Sequence, residues 1–159
     1  MKCGIGQDSH RFEPEGSQKA LVMGGVAIPG ELGLAGNSDA DVVLHALTNA
    51  VSGVGGVTIL GPVSDRMCLD EGITDSREYL KKALETLGDY SLTHVSISVE
   101  CARPKLLPHV QSIRSSLARL LGLDLSCIGF TATSGEGLTA FGKGEGVQAI
   151  AIVTAASDG

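Results

Sequence analysis

The chain has 159 residues, with 12 Lys plus Arg against 18 Asp plus Glu, a net charge of −6. An acidic chain without a basic run excludes a nucleic-acid footprint, and 3% aromatics with no tryptophan leaves no base-stacking platform. The longest apolar run, Ala149 to Val153, falls far short of the ~20 residues of a membrane span. Cys3, Cys68, Cys101 and Cys127 form no Cys-x-x-Cys pair, and Met1-Lys2 runs straight into an apolar–polar segment. A reducing, cytoplasmic setting without a secretory leader is therefore expected.

In chain order, Lys2 to Gly6 reads as a first strand, followed by a polar, irregular stretch over 7–19. Ala20 to Ile28 is apolar but interrupted by Gly24-Gly25, the pattern of a hairpin or bulged strand. Ser38-Asp39-Ala40-Asp41 predicts a helix start, with Ser38 as cap, and Val42, Val43, Ala46, Leu47 and Ala50 recur at helical spacing until Gly53, Gly55 and Gly56 fray it. Residues 57–74 carry no clear period. A second helix begins at Asp75, buries Tyr79, Leu80, Ala83, Leu84 and Leu87, and stops at Gly88. Val95, Ile97 and Val99 alternate with polar residues as a strand. Pro108 opens a third helix closed by Gly122, and Ile128–Ala132 and Val147–Thr154 are the last two strands. The order predicts an α+β fold, one mixed sheet with helices packed on one face, as a single domain over 1–159.

Three segments carry chemistry. In Asp8-Ser9-His10, residues i and i+2 of an extended chain face the same way, and His45 on the first helix would complete three ligands for a divalent ion. Asp41 and Asn49, one turn to either side of His45, are placed to hydrogen-bond its free nitrogen. The same residues also fit a polar loop beside an ordinary core histidine. Glu100 to His109 is a loop stiffened by Pro104 and Pro108 and carrying Arg103 and Lys105; it fits a ligand-reading loop or a plain strand-to-helix connection. Thr131 to Gly146 presents Thr133, Ser134, Gly135, Glu136 and Gly137, a set suited to phosphate and Mg²⁺, and equally to a glycine-rich hairpin turn.

Together these segments (Gly6-Gln-Asp8-Ser-His10, Ser38-Asp-Ala-Asp-x-x-x-His45, Asp75-Ser-Arg77, Arg103-Pro-Lys-Leu-Leu-Pro-His109, Thr131-Ala-Thr-Ser-Gly-Glu-Gly-Leu138 and Gly144-Glu-Gly146) resemble the 2-C-methyl-D-erythritol 2,4-cyclodiphosphate synthase family over nearly the whole chain. The resemblance implies a homotrimer with active sites shared between subunits. It implies Zn²⁺ on Asp8, His10 and His45, and a second ion, Mg²⁺ or Mn²⁺, on Glu136. Catalytic positions correspond to Asn37 and Ser134. Substrate contacts correspond to Asp8, Ser9, His10, Asn37, Ser38 and Asp65, to the cytidine loop Cys101, Ala102, Arg103, Pro104, Lys105, Leu106 and Leu107 of a neighbouring subunit, and to Thr133, Ser134, Gly135, Glu136, Ala140 and Lys143. A cavity on the trimer axis near Lys143 would take an isoprenoid diphosphate. The implied reaction converts 4-diphosphocytidyl-2-C-methyl-D-erythritol 2-phosphate to the cyclic diphosphate and CMP in non-mevalonate isoprenoid biosynthesis.

The chain departs from the family pattern at Asn37, where His is usual, at Ser134 for Thr, and at Lys143 for Arg. It departs most in 55–70, where the family's sugar-binding Gly-Asp-Ile-Gly and Phe-Pro-Asp runs are replaced by Val57-Thr-Ile-Leu-Gly61-Pro-Val-Ser-Asp65. These departures motivate a second reading, a trimeric nucleotide- or isoprenoid-diphosphate-binding protein with weakened turnover. A third is a zinc-dependent phosphohydrolase using metal-bound water.

Overall fold

The computed structural model describes residues 1–157; the last two residues of the expected 1–159 domain lie outside the described residues. Among the described residues six strands and four α-helices are formed: β1 Lys2–Arg11, β2 Leu21–Met23, β3 Val26–Ile28, α1 Val42–Gly55, α2 Pro62–Asp65, α3 Ser76–Leu84, β4 Tyr90–Glu100, α4 Val110–Leu121, β5 Ile128–Thr133 and β6 Gly146–Ser157. The main sheet has the order β1-β6-β4-β5. β6 runs antiparallel to both β1 and β4, and β5 runs parallel to β4 after the crossover through α4, so the sheet is mixed.

Two expectations need correction. The sheet is not the only one, because β2 and β3 form a separate two-stranded hairpin turning at Gly24-Gly25. The first strand does not end at Gly6 but continues to Arg11, pairing residue for residue with β6 from Lys2↔Ala155 to Arg11↔Gly146. Its second half lacks an apolar pattern because that half lines a polar site at the sheet edge.

The sheet buries one face. Val147, Ala149, Ala151, Val153 and Ala155 of β6 and Val95, Ile97 and Val99 of β4 point under the helices, as alternation requires. α1 lies directly on β1 and β6. Gly4 and Gly6 make this possible: a Cβ built on either would stand 2.0 Å from the carbonyl oxygen of Ala50 or Ala46 in the helix. α3 packs on the outer side of α1, burying Tyr79, Leu80 and Ala83, of which a leucine side chain such as Leu80 stabilises by roughly 1.5–3 kcal/mol. Covered on two sides, α1 is apolar almost all round.

Capping also differs from the predicted pattern. Asp41, not Ser38, is the N-cap of α1, and the helix runs through Gly53 and Gly55 to a left-handed cap at Gly56. Gly55 is kept in the helix by packing, since a Cβ there would meet Thr86 Oγ1 at 2.1 Å. The unreadable stretch 57–74 holds the four-residue α2 followed by a π turn over Arg66–Asp70, too short and too irregular to leave a period. α3 begins at Asp75, whose side chain accepts from Arg77 N, and Gly122 closes α4, both as predicted.

Candidate functional site

β1 delivers Asp8 and His10 to the same face as Gly4 and Gly6, the face that α1 covers, and the second turn of α1 delivers His45. His10 Nε2 lies 2.7 Å and His45 Nδ1 3.1 Å from Asp8 Oδ2, and the two ring nitrogens are 3.2 Å apart. Three ligand atoms therefore converge, the one such group among the described residues. A tetrahedral ion with bonds of about 2.0–2.1 Å has ligand–ligand edges of about 3.3–3.4 Å, so the triangle is close to that size. Two imidazole nitrogens and one carboxylate oxygen suit a borderline divalent ion such as Zn²⁺. His10 Nδ1 bonds the Ala35 carbonyl at 2.9 Å, which leaves Nε2 to face the cluster.

The electrostatics match. Burial opposes ionisation of Asp8, but hydrogen bonds and charge from His10 and His45 outweigh it and hold the carboxyl at about 2. Burial likewise works against protonating His10, and the Asp8 carboxylate outweighs it, so the ring titrates above its ordinary value.

The expected partners of His45 are placed otherwise. Asp41 is fully buried and accepts from the backbone N–H groups of Gly24, Gly25 and Leu44, locking the hairpin onto α1. Asn49 donates to the Gln7 carbonyl. His45 Nε2 instead meets Ser76 Oγ at 2.8 Å.

A pocket of about 200 Å³ opens over the triad and is lined also by Asn37, Ser38, Leu60, Asp65, Cys68 and Tyr79. The divergent 57–70 segment thus forms its wall, and the Cys68 thiol donates to the Asn37 carbonyl at 3.3 Å. Ser9 does not line this pocket: with His10, Arg11, Ala140 and Glu145 it lines an adjoining hollow of about 280 Å³. Lys143 is exposed on the neighbouring turn, and Glu145 pairs with Arg11.

A third cleft, about 580 Å³, lies at the β5 edge. It is lined by Cys101, Ala102, Pro104, Lys105, Leu106 and Leu107 together with Thr133 and Ser134. Burial raises the Cys101 thiol to about 11, a neutral group for an apolar wall. Arg103 stacks over Phe12 at 4.7 Å. The triad is on β1 and this cleft beside β5, at opposite edges of one sheet and separated by three strand spacings of about 4.8 Å, roughly 14 Å.

A sequence model of the YgbB family matches residues 1–156. The 2-C-methyl-D-erythritol 2,4-cyclodiphosphate synthase of Chlamydia caviae is 46% identical over 156 residues, 98% of this chain and 89% of that protein. The chain belongs to the YgbB family of 2-C-methyl-D-erythritol 2,4-cyclodiphosphate synthases. A solved synthase with bound CDP superposes with a TM-score of 0.75 at 30% identity, covering 98% of this chain and all of that one. The bifunctional IspDF of Campylobacter jejuni gives a TM-score of 0.87 at 31% identity, covering 98% of this chain but 42% of that longer one.

Within one chain of this YgbB-family protein, then, most of the expected residues fall into two groups. Asp8, His10, Asn37, Ser38, His45 and Asp65 share the triad pocket; Cys101, Ala102, Pro104 to Leu107, Thr133 and Ser134 share the other cleft; Arg103 turns instead to Phe12, and Ser9, Ala140, Gly135 and Lys143 belong to neither group. Glu136 is exposed on the 3-10 turn over Gly135–Gly137 and does not join the triad. Sequence reading missed Ser76 and Cys68. The Asp75-Ser-Arg77 motif marked the right segment, as a helix start and as part of the family pattern but with no role for Ser76, and the segment around Cys68 had no period.

Proposed function

We infer that this protein converts 4-diphosphocytidyl-2-C-methyl-D-erythritol 2-phosphate to 2-C-methyl-D-erythritol 2,4-cyclodiphosphate and CMP, acting as one domain in the cytoplasm. The observation that carries the reading is the convergence of Asp8, His10 and His45 within 3.2 Å at the floor of a pocket, in a chain 46% identical to a synthase of that name.

On this reading Asp8, His10 and His45 hold Zn²⁺ and Glu136 holds Mg²⁺ or Mn²⁺. When bound, these ions neutralise phosphoryl charge and polarise the phosphorus–oxygen bonds. The nucleophile is the substrate's own 2-phosphate, whose second pKa of about 6 leaves it largely dianionic at neutral pH, so no protein base is required. What the chain supplies is alignment of two anions that repel one another. Asn37 and Ser38 border the triad and donate to phosphate oxygens, Asp65 accepts from the sugar hydroxyls, and Thr133 with Ser134 orients the diphosphate.

The cytidine moiety occupies the cleft of Cys101 to Leu107, contributed by a second subunit. The separation of roughly 14 Å between triad and cleft in one chain supports sharing across an interface. So does the uncovered face of the sheet, where Ile5, Ile150 and Ile152 are 69%, 37% and 43% exposed. In the proposed homotrimer an axial cavity near Lys143 would take an isoprenoid diphosphate.

Purified protein given the cytidyl substrate with Zn²⁺ and Mg²⁺ is expected to release CMP and to show the cyclic diphosphate by phosphorus NMR, with no oxygen from labelled solvent. A linear phosphate carrying solvent oxygen would establish the hydrolase instead, and tight binding without CMP release would establish a binding protein.

A further inference from the structure

His45 reaches the cluster with Nδ1, the nitrogen nearer its backbone, while Nε2 points back between α1 and α3. Which nitrogen carries the ring hydrogen decides whether Nδ1 has a free lone pair, and that is set by whatever faces Nε2. What faces it most closely is the hydroxyl of Ser76, 2.8 Å away and fully buried, with the Ser38 hydroxyl at the longer distance of 3.5 Å. Ser76 has a single hydroxyl hydrogen, and it is committed to Asp39 Oδ1 in a short hydrogen bond. Asp39 is itself fixed as an acceptor. Its Oδ2 takes the Ser76 backbone N–H at 3.1 Å and its Oδ1 the Asp41 backbone N–H at 3.1 Å, while its own N–H donates to the Thr74 carbonyl. A hydroxyl that donates to a carboxylate turns its lone pairs the other way. Ser76 Oγ can then only accept from His45, which requires hydrogen on Nε2 and leaves Nδ1 bare toward Asp8 and His10.

We propose that Asp39 and Ser76 are positioning residues that set the tautomer of His45 and so make its Nδ1 a metal ligand. The proposal rests on the metal-centre reading above. It joins the loop before α1, which carries Asp39, to the first residue of α3, so the two elements flanking His45 hold its ring between them. The arrangement on the other histidine is simpler: a backbone carbonyl, Ala35 O, does for His10 what the Asp39–Ser76 pair does for His45.

The test uses full-length protein stripped of metal. Zn²⁺ affinity is measured by competition with a chromophoric chelator, and the His45 Nε2 hydrogen is followed by proton–nitrogen correlation NMR in the zinc-loaded protein. Wild type should show an Nε2 hydrogen protected from solvent exchange. Ser76→Ala should bind Zn²⁺ about 10- to 100-fold more weakly, the usual cost of losing a group that orients a ligand, and lose that protection. Ser76→Thr, which keeps the hydroxyl, should return the affinity to within about 3-fold of wild type. Asp39→Asn frees Ser76 to donate to Nε2 and should weaken binding as well; it serves as the independent probe if Ser76→Ala fails to fold. Unchanged affinity and unchanged protection in Ser76→Ala, or in Asp39→Asn, would overturn the proposal. Failure of the wild type to bind Zn²⁺ would instead bring down the metal-centre reading, while the Nε2 hydrogen of His45, read in metal-free protein, would still decide the role of Ser76.

Discussion

At the scale of single residues, the site is an exercise in direction. Asp8 and His10 share a face because they are two apart on a strand, and His45 meets them because its Nδ1, not its Nε2, looks toward β1. Two ligands hold Zn²⁺ poorly, so His45→Ala should reduce metal content from about one ion per chain to a small fraction, measured by elemental analysis after dialysis. Asn37 borders the same pocket and offers a neutral donor where the family pattern has a histidine. A charge-assisted hydrogen bond exceeds a neutral one by about 1 kcal/mol, so Asn37→His should raise the rate of CMP release by about 3- to 10-fold. Unchanged or lower turnover would count against a donor role for position 37.

At the scale of elements, the contact between β1 and α1 brings the ligands together. Gly6 is, with Gly4, the thinnest part of that contact, with the Ala46 carbonyl 2.0 Å from where its Cβ would be. Because the obstacle is backbone and not a flexible side chain, Gly6→Ala must part strand from helix. A loss of about 3 kcal/mol or more in urea unfolding is expected, accompanied by loss of Zn²⁺ binding as Asp8 and His10 draw away from His45. The hairpin β2–β3 is tied to α1 through Asp41, a carboxyl that burial pushes up to about 6 against the pull of its three backbone N–H donors. The folded state thus holds a proton that the unfolded chain, titrating near 4, has already released. Asp41 therefore stabilises most below about pH 4, and that contribution is lost as pH rises to about 6. Over this interval the unfolding free energy of wild type should fall by about 2–3 kcal/mol relative to Asp41→Asn, followed by urea titration at each pH. A parallel pH dependence in the two proteins would contradict the shift.

At the scale of the whole molecule, the triad pocket and the cleft beside β5 lie toward opposite edges of the sheet, the face between them is uncovered, and the proposed assembly would join the two across that face. Ile152→Glu should therefore yield a monomer by sedimentation, retain Zn²⁺ because all three ligands belong to one chain, and lose most CMP release. Loss of Zn²⁺ together with the oligomer would show instead that the substitution unfolds the subunit.

Much of this was readable before any coordinates. The period-3.6 stripe of Tyr79, Leu80 and Ala83, the period-2 alternation of Val95, Ile97 and Val99, and the caps at Asp75 and Gly122 are local signals, enforced by residues a turn or a pleat apart. The motif order pointed to Asp8, His10 and His45, which the fold brings together. Only the tertiary structure decided that β1 extends to Arg11, since a polar edge strand is held by its register with β6 and not by its own pattern. It decided likewise that Asp41 serves the hairpin while Ser76 and Asp39 serve His45: these partners lie 31 and 37 residues apart in pairs, and no spacing rule spans such distances. Side-chain period is a property of neighbours along the backbone, whereas the direction of a lone pair belongs to whatever the fold packs against it.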